Sequence, residues 1–215
     1  GLQDKAKHLS TLYLEDLSDF IVENIDENFG FSRYAEKLGR SANSFDELYA
    51  KLNTENTFID DITLKILEQK LNEIQPKLVC FSVPFPGNLY SAFKCAQFIK
   101  NNFSNVKTAF GGGFANTELR ELKDKRVFEF FDFITLDDGE LPIELLHLNV
   151  TKGSTEFKRT FLLENNEVVF KNNSQQPDYK QTQVGTPDYT DLPLDQYISV
   201  IEISNPMHSV WIYGR

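Results

Sequence analysis

Three short apolar runs punctuate the middle of this chain, and each stops at a loop of small or acidic residues. They are Leu78-Val79-Cys80-Phe81-Ser82-Val83, Val106-Lys107-Thr108-Ala109-Phe110 and Phe131-Asp132-Phe133-Ile134-Thr135-Leu136. Each is too short, and too rich in β-branched or aromatic residues, to be a helix of its own, so each reads as a strand. Between the first two, Leu89, Phe93, Ala96 and Ile99 fall on one side of a 3.6-residue turn, the spacing of an amphipathic helix. Strand and helix alternating through short connections predict a parallel sheet covered on both faces.

The expected fold class is therefore α/β, a three-layer parallel sheet of the Rossmann-like or flavodoxin-like kind. An N-terminal helical segment (1–75) precedes this α/β unit (76–150), and a hairpin with a connector (151–215) follows it. Ligands of such sheets sit beyond the carboxyl ends of the strands, so the loops after the three runs would share one rim. Three parallel strands leave open edges, and at least one further strand is expected, from upstream of Gly1 or from another segment.

In the N-terminal segment, Leu9, Leu12, Leu14, Leu17, Phe20, Ile21 and Ile25 mark an amphipathic helix over 5–25, ended by Asn28-Phe29-Gly30. A short helix over 31–38 is expected to stop at Gly39. Ser44 and Glu47 have the spacing of a capping box that opens a helix through Leu52. Ile59, Ile62, Ile66, Leu67, Leu71 and Ile74 predict a helix over 57–73, closed by Gln75-Pro76. These helices are expected to pack on the α/β unit. After it, 159–163 and 168–171 form a predicted hairpin across Asn165-Asn166, residues suited to positive φ. The remainder, rich in Asn, Gln, Asp, Thr and Pro, reads as an extended connector. The chain opens on Gly1 and closes on Tyr213-Gly214-Arg215 without a terminating signal, and reads as a piece excised from a longer protein.

Composition narrows the function classes. With 215 residues, 40% of them hydrophobic, the chain can bury a core, and 19 Phe predict one built on aromatic packing. No apolar run approaches the roughly 20 residues that span a bilayer, and no signal-peptide pattern opens the sequence. Cys80 falls in a predicted strand and Cys95 in a predicted helix, which argues against a structural disulfide and for a cytoplasmic setting. The net charge of −10 argues against nucleic acid and anionic membrane as partners.

Two loops of the rim carry chemical interest. Gly111-Gly112-Gly113 lets either another backbone or a flat ligand approach closely, and the sequence leaves both open. Gly111-x-Gly113-x-x-Asn116 also resembles the start of a dinucleotide fingerprint without its third glycine. In that reading a helix N-terminus directly after Gly113, with Asn116 at its start, faces a pyrophosphate and Asp137 contacts a ribose. Asp137-Asp138-Gly139-Glu140 suits a cation or a hydroxyl, although acids there more often cap the next helix. His8, His147 and His208 have no neighbours of a ligand motif.

Taken in order, these elements resemble the cobalamin-binding domain that precedes the catalytic domain of many radical S-adenosylmethionine enzymes. The likeness rests on Ser82-Val83-Pro84 ending one strand, Gly111-Gly112 after the next, and Asp138-Gly139-Glu140 after the third. Residues 187–197 (PDYTDLPLDQY) are similar to the segment that leads into the radical domain, and the resemblance covers about residues 76–197. It implies a corrinoid lying over the strand ends with its nucleotide tail slotted into the sheet edge. Ser82, Val83, Pro84, Gly111, Gly112, Gly113, Asp138, Gly139 and Glu140 would then be the cofactor-binding residues. Ser82 would hydrogen-bond the tail or the corrin side chains, the glycines would leave room for the tail, and Pro84, Phe85 and Phe114 would cover the ring.

The Asp-x-His-x-x-Gly loop that ligates cobalt in some members is absent, and so is the Cys-x3-Cys-x2-Cys triad. The 4Fe-4S cluster and S-adenosylmethionine therefore belong to a parent radical domain outside this sequence, and no catalytic residue is named. The implied role is accessory: to present a corrinoid to that domain, for methyl transfer to an unactivated carbon. Two other readings stay open, a scaffold or homodimerisation module that binds nothing, and a dinucleotide-binding domain.

Overall fold

The computed structural model describes residues 1–31, 34–40 and 45–193. Five strands form one sheet in chain order: β1 (Leu78–Ser82), β2 (Lys107–Gly111), β3 (Phe133–Thr135), β4 (Thr160–Glu164) and β5 (Glu167–Lys171). β1 to β3 run parallel, as the three apolar runs predict, while β4 and β5 run antiparallel to their neighbours. The fold is α/β with a mixed sheet, not the purely parallel one expected. The further strands come from the hairpin, which covers the edge of β3 by pairing Ile134 with Phe161 and Thr135 with Thr160. Its turn is the one Asn165 and Asn166 allow, with φ of 50° and 65°. Among the described residues β1 pairs with β2 alone and keeps one open edge.

One row of large side chains crosses the sheet strand by strand: Phe81, Phe110, Ile134 and Phe161. α5 (Leu89–Asn102) lies on this face and buries Leu89, Phe93, Ala96 and Ile99, the four positions its spacing marks. Phe93 meets Phe131 edge to face with ring centroids 4.9 Å apart, and Phe131 meets Phe110 at 5.0 Å. Each such aromatic pair contributes about 0.5–1.5 kcal/mol beyond the area it buries. α2 (Glu36–Arg40) and α3 (Asp46–Leu52) complete this layer through Leu38, Leu48 and Leu52. On the opposite face α7 (Glu140–Lys152) sets Leu146 against Ala109, Phe133 and Leu162.

α4 (Phe58–Ile74) begins at a reciprocal cap. The Asp60 amide donates to Thr57 Oγ1 at 3.1 Å, and the Thr57 amide donates to the Asp60 carboxylate at 3.0 Å. Asp60 is only 3% exposed, and the same carboxylate accepts a 2.8 Å hydrogen bond from Tyr90 on α5, which ties the two helices together. Gln75 ends α4 in the left-handed region and turns the chain into β1.

Other local expectations are revised. α1 (Leu2–Asn24) has the predicted span, yet none of its residues is buried, so it does not pack on the sheet as expected. α2 runs through Gly39 rather than stopping there, because the missing side chain lets the helix touch the Pro86 backbone. α3 is preceded by Phe45, which makes no side-chain cap, and Ser44 lies outside the described residues. Part of the connector is anchored rather than free: Asn173 accepts the Phe157 amide at 2.8 Å, and 181–184 form α8 (Gln181–Val184). The rest of the connector from 194 onward, with His208, lies outside the described residues. Among the described residues no helix is long and apolar enough to cross a membrane.

Asp132, just before β3, receives Lys100 at 2.7 Å, Lys107 at 3.0 Å and the Thr108 amide at 2.9 Å. Burial pushes its carboxyl up, but the hydrogen bonds from Lys100, the Thr108 amide and Lys107 outweigh that and hold it below the usual range. A depressed carboxyl stabilises the fold above its unfolded pKa and loses that contribution as pH falls through the folded value. Asp132→Asn is expected to cost about 1–3 kcal/mol at pH 7. The gap to the wild type should close as the pH is taken below about 4, which urea denaturation at the two pH values will show.

Candidate functional site

The carboxyl ends of β1, β2 and β3 surround a cavity of about 210 Å³. Cys80 and Ser82 line it from one face of β1, Gly111 and Gly112 from the end of β2, and Gly139 and Ile143 from the start of α7. The opening follows from the sequence at these points. Alternation along β1 sends Cys80 and Ser82 to the same face, and both are exposed. Gly111 supplies no side chain, and Thr135 Oγ1 stands 2.8 Å from where its Cβ would be. Among the described residues Ser82 has no hydrogen-bond partner, so its hydroxyl is free to donate and to accept. Although Cys80 is exposed, protein atoms around its sulfur displace enough water to push the thiol up, which keeps it protonated at neutral pH.

The predicted site residues divide into two groups. Ser82, Gly111, Gly112 and Gly139 come together around the cavity. Val83 does not belong there: it is 1% exposed and packs in the core. Phe114 is also a core residue, packed on Phe110 with ring centroids 6.4 Å apart, and has no face to offer a ring. Pro84 and Phe85 are exposed, as are Asp138 and Glu140, and none of the four lines the cavity.

The triple glycine resolves towards backbone approach. Gly112 has φ of 98°, and a Cβ on it would stand 2.8 Å from Val83 N; one on Gly113 would stand 2.8 Å from Pro84 O. The chain after β1 therefore fills the room that Gly112 and Gly113 leave. Only Gly111 faces a side chain instead, with Thr135 Oγ1 2.8 Å from where its Cβ would be.

The acidic loop makes no side-chain cap on the next helix, but Glu140 lies in the first turn of α7, where the helix dipole favours an acid as expected. Gly139 is the N-cap residue of α7 and makes no side-chain cap. Asp137 instead lies at φ 62°, its amide donating to Asn116 at 2.6 Å and its carboxylate paired with Arg120. Arg159 Nε lies 3.6 Å from the same carboxylate. Arg159 also donates to the carbonyl oxygens of Leu136 at 3.2 Å and Asp138 at 3.1 Å, and to both oxygens of Asp178 at 2.8 Å. Asp178 holds the Arg159 guanidinium more firmly protonated.

These contacts bear on the dinucleotide reading in opposite directions. α6 (Gly113–Glu118) starts at Gly113, where that reading needs a helix N-terminus, although Asn116 lies inside it and accepts the Asp137 amide rather than opening it. Asp137 is committed to Arg120. Neither Arg120 nor Arg159 stood out in the sequence, because no local pattern marks a lone Arg whose partners lie at other positions in the chain. Among the described residues no group of His, Cys, Asp or Glu side chains is arranged to hold a metal ion. Compared with known proteins, the chain matches no family model, no curated protein and no solved structure.

Two glycines separate the cost of the close approach from that of backbone conformation. Gly153 has φ of 72° with nothing within 4 Å of its Cβ position, whereas Gly112 combines positive φ with the Val83 backbone. Gly153→Ala is expected to cost about 1 kcal/mol. Gly112→Ala should cost at least about 2 kcal/mol more, since backbone must move. Urea midpoints of the two variants measure the difference.

Proposed function

We propose that this chain is an accessory cofactor-binding domain whose rim cavity takes the flat nucleotide tail of a corrinoid. The observation that carries the reading is the cavity itself, open beyond the ends of three parallel strands with the Ser82 hydroxyl on one wall and bare Gly111 backbone beside it. This is the position at which a Rossmann-like or flavodoxin-like sheet takes its ligands. Its 210 Å³ suits one flat ring system, on the scale of the about 150 Å³ that admits benzene. A macrocycle would lie outside it, over the exposed Pro84 and Phe85.

In this reading Ser82 bonds a polar atom of the tail, while Gly111 and Gly139 keep the walls free of side chains. The bound corrinoid would supply methyl-transfer chemistry. The iron–sulfur cluster and S-adenosylmethionine would belong to a radical domain of the parent protein, in the cytoplasm. The chain's own part is to bind and position.

One observation favours a second reading, a scaffold that binds nothing. Gly112 and Gly113 are accounted for by the Val83-Pro84 backbone, so the glycine run by itself requires no ligand. Titration with hydroxocobalamin, followed by gel filtration and visible absorption, decides between them. The tail-binding reading expects cobalamin to co-elute with the wild type and to bind Ser82→Trp at least about tenfold more weakly, since the indole would fill the cavity from an exposed strand end. Absence of binding would leave the scaffold, and equal binding by both proteins would overturn the placement of the tail in this cavity.

A further inference from the structure

A 23-residue helix with no buried residue is an unusual element, because helices draw most of their stability from packing an apolar face. On α1, Leu2, Leu9, Tyr13 and Phe20 lie within about 40° of one another around the helix axis. They are 91%, 54%, 68% and 57% exposed. The partly covered side of α1, with Ser10, Leu14, Leu17 and Ile21, is another one, about 100° further round. The helix therefore carries two apolar faces, and among the described residues only one of them is covered, in part.

Charge along the border of the open stripe says what fits it. Lys5 stands beside the stripe near the start of the helix, and Asp16 and Glu23 stand on the same flank further along, all three exposed. Two antiparallel helices bring the same flank of each together, so Lys5 of one helix would meet Asp16 of an identical one. A parallel pair would instead set this flank against the neutral one of Ala6 and Asn24. The apolar stripe has the same symmetry, since reversing it places Leu2 against Phe20 and Leu9 against Tyr13.

We propose that a second copy of this chain covers the stripe, with α1 pairing antiparallel to its counterpart in a homodimer. The inference is independent of what the rim binds. Sedimentation equilibrium of the 215-residue chain tests it. A dimer is expected at micromolar concentration, and a monomer for Leu9→Glu with Tyr13→Glu, substitutions at exposed positions that leave the helical circular dichroism unchanged. Lys5→Glu should weaken association at least about tenfold, and adding Asp16→Lys to it should restore the dimer. A wild-type monomer at the highest concentrations, a dimer that survives Leu9→Glu with Tyr13→Glu, or no effect of Lys5→Glu would each overturn the proposal.

Discussion

The backbone of Val83 and Pro84 lies against that of Gly112 and Gly113 with no space for a side chain between them. Two hydrogen bonds hold the contact, from the Val83 amide to Gly111 O at 2.8 Å and from the Phe114 amide to Val83 O at 2.9 Å. The loops after β1 and β2 are thereby joined into one double-layered rim. Val83 and Phe114 are turned into the core by the same contact, while Ser82 and Gly111 are left outside at the mouth of the cavity. A single steric constraint thus sets both the top of the aromatic core and the wall of the candidate site.

Ion pairs fasten the sheet at both ends of its middle strands. At the amino ends, Asp132 gathers Lys100, Lys107 and the Thr108 amide. At the carboxyl ends, Arg159 holds the loop after β3 through two carbonyls and reaches on to Asp178 in the connector. Arg159 sits at φ 45°, a conformation that costs a non-glycine residue of the order of 1 kcal/mol. Its several charge-assisted hydrogen bonds offset that cost. The hairpin is consequently more than an edge cover: its first residues fix the acidic loop that borders the cavity.

The helical segment is not one unit in physical terms. α4 is bound into the molecule by the buried Asp60–Tyr90 hydrogen bond, and α2 and α3 add leucines to the aromatic layer. α1 takes no comparable part. Its open stripe, Leu2, Leu9, Tyr13 and Phe20, stays exposed.

Elements defined by a short period were legible in the sequence. Leu89, Phe93, Ala96 and Ile99 announce the buried face of α5, three apolar runs announce β1 to β3, and Asn165-Asn166 announces a turn with positive φ. Each follows from the backbone geometry of neighbouring residues, and each is found in the structure. The rim itself was legible too, because parallel strands put their carboxyl ends together. Only the tertiary structure decided what occupies the space beside each glycine, which acid a long arginine reaches, and on which edge the hairpin lies. Val83 and Gly112, or Asp137 and Arg159, stand more than 20 positions apart, and no local pattern records which distant group fills a gap or answers a charge.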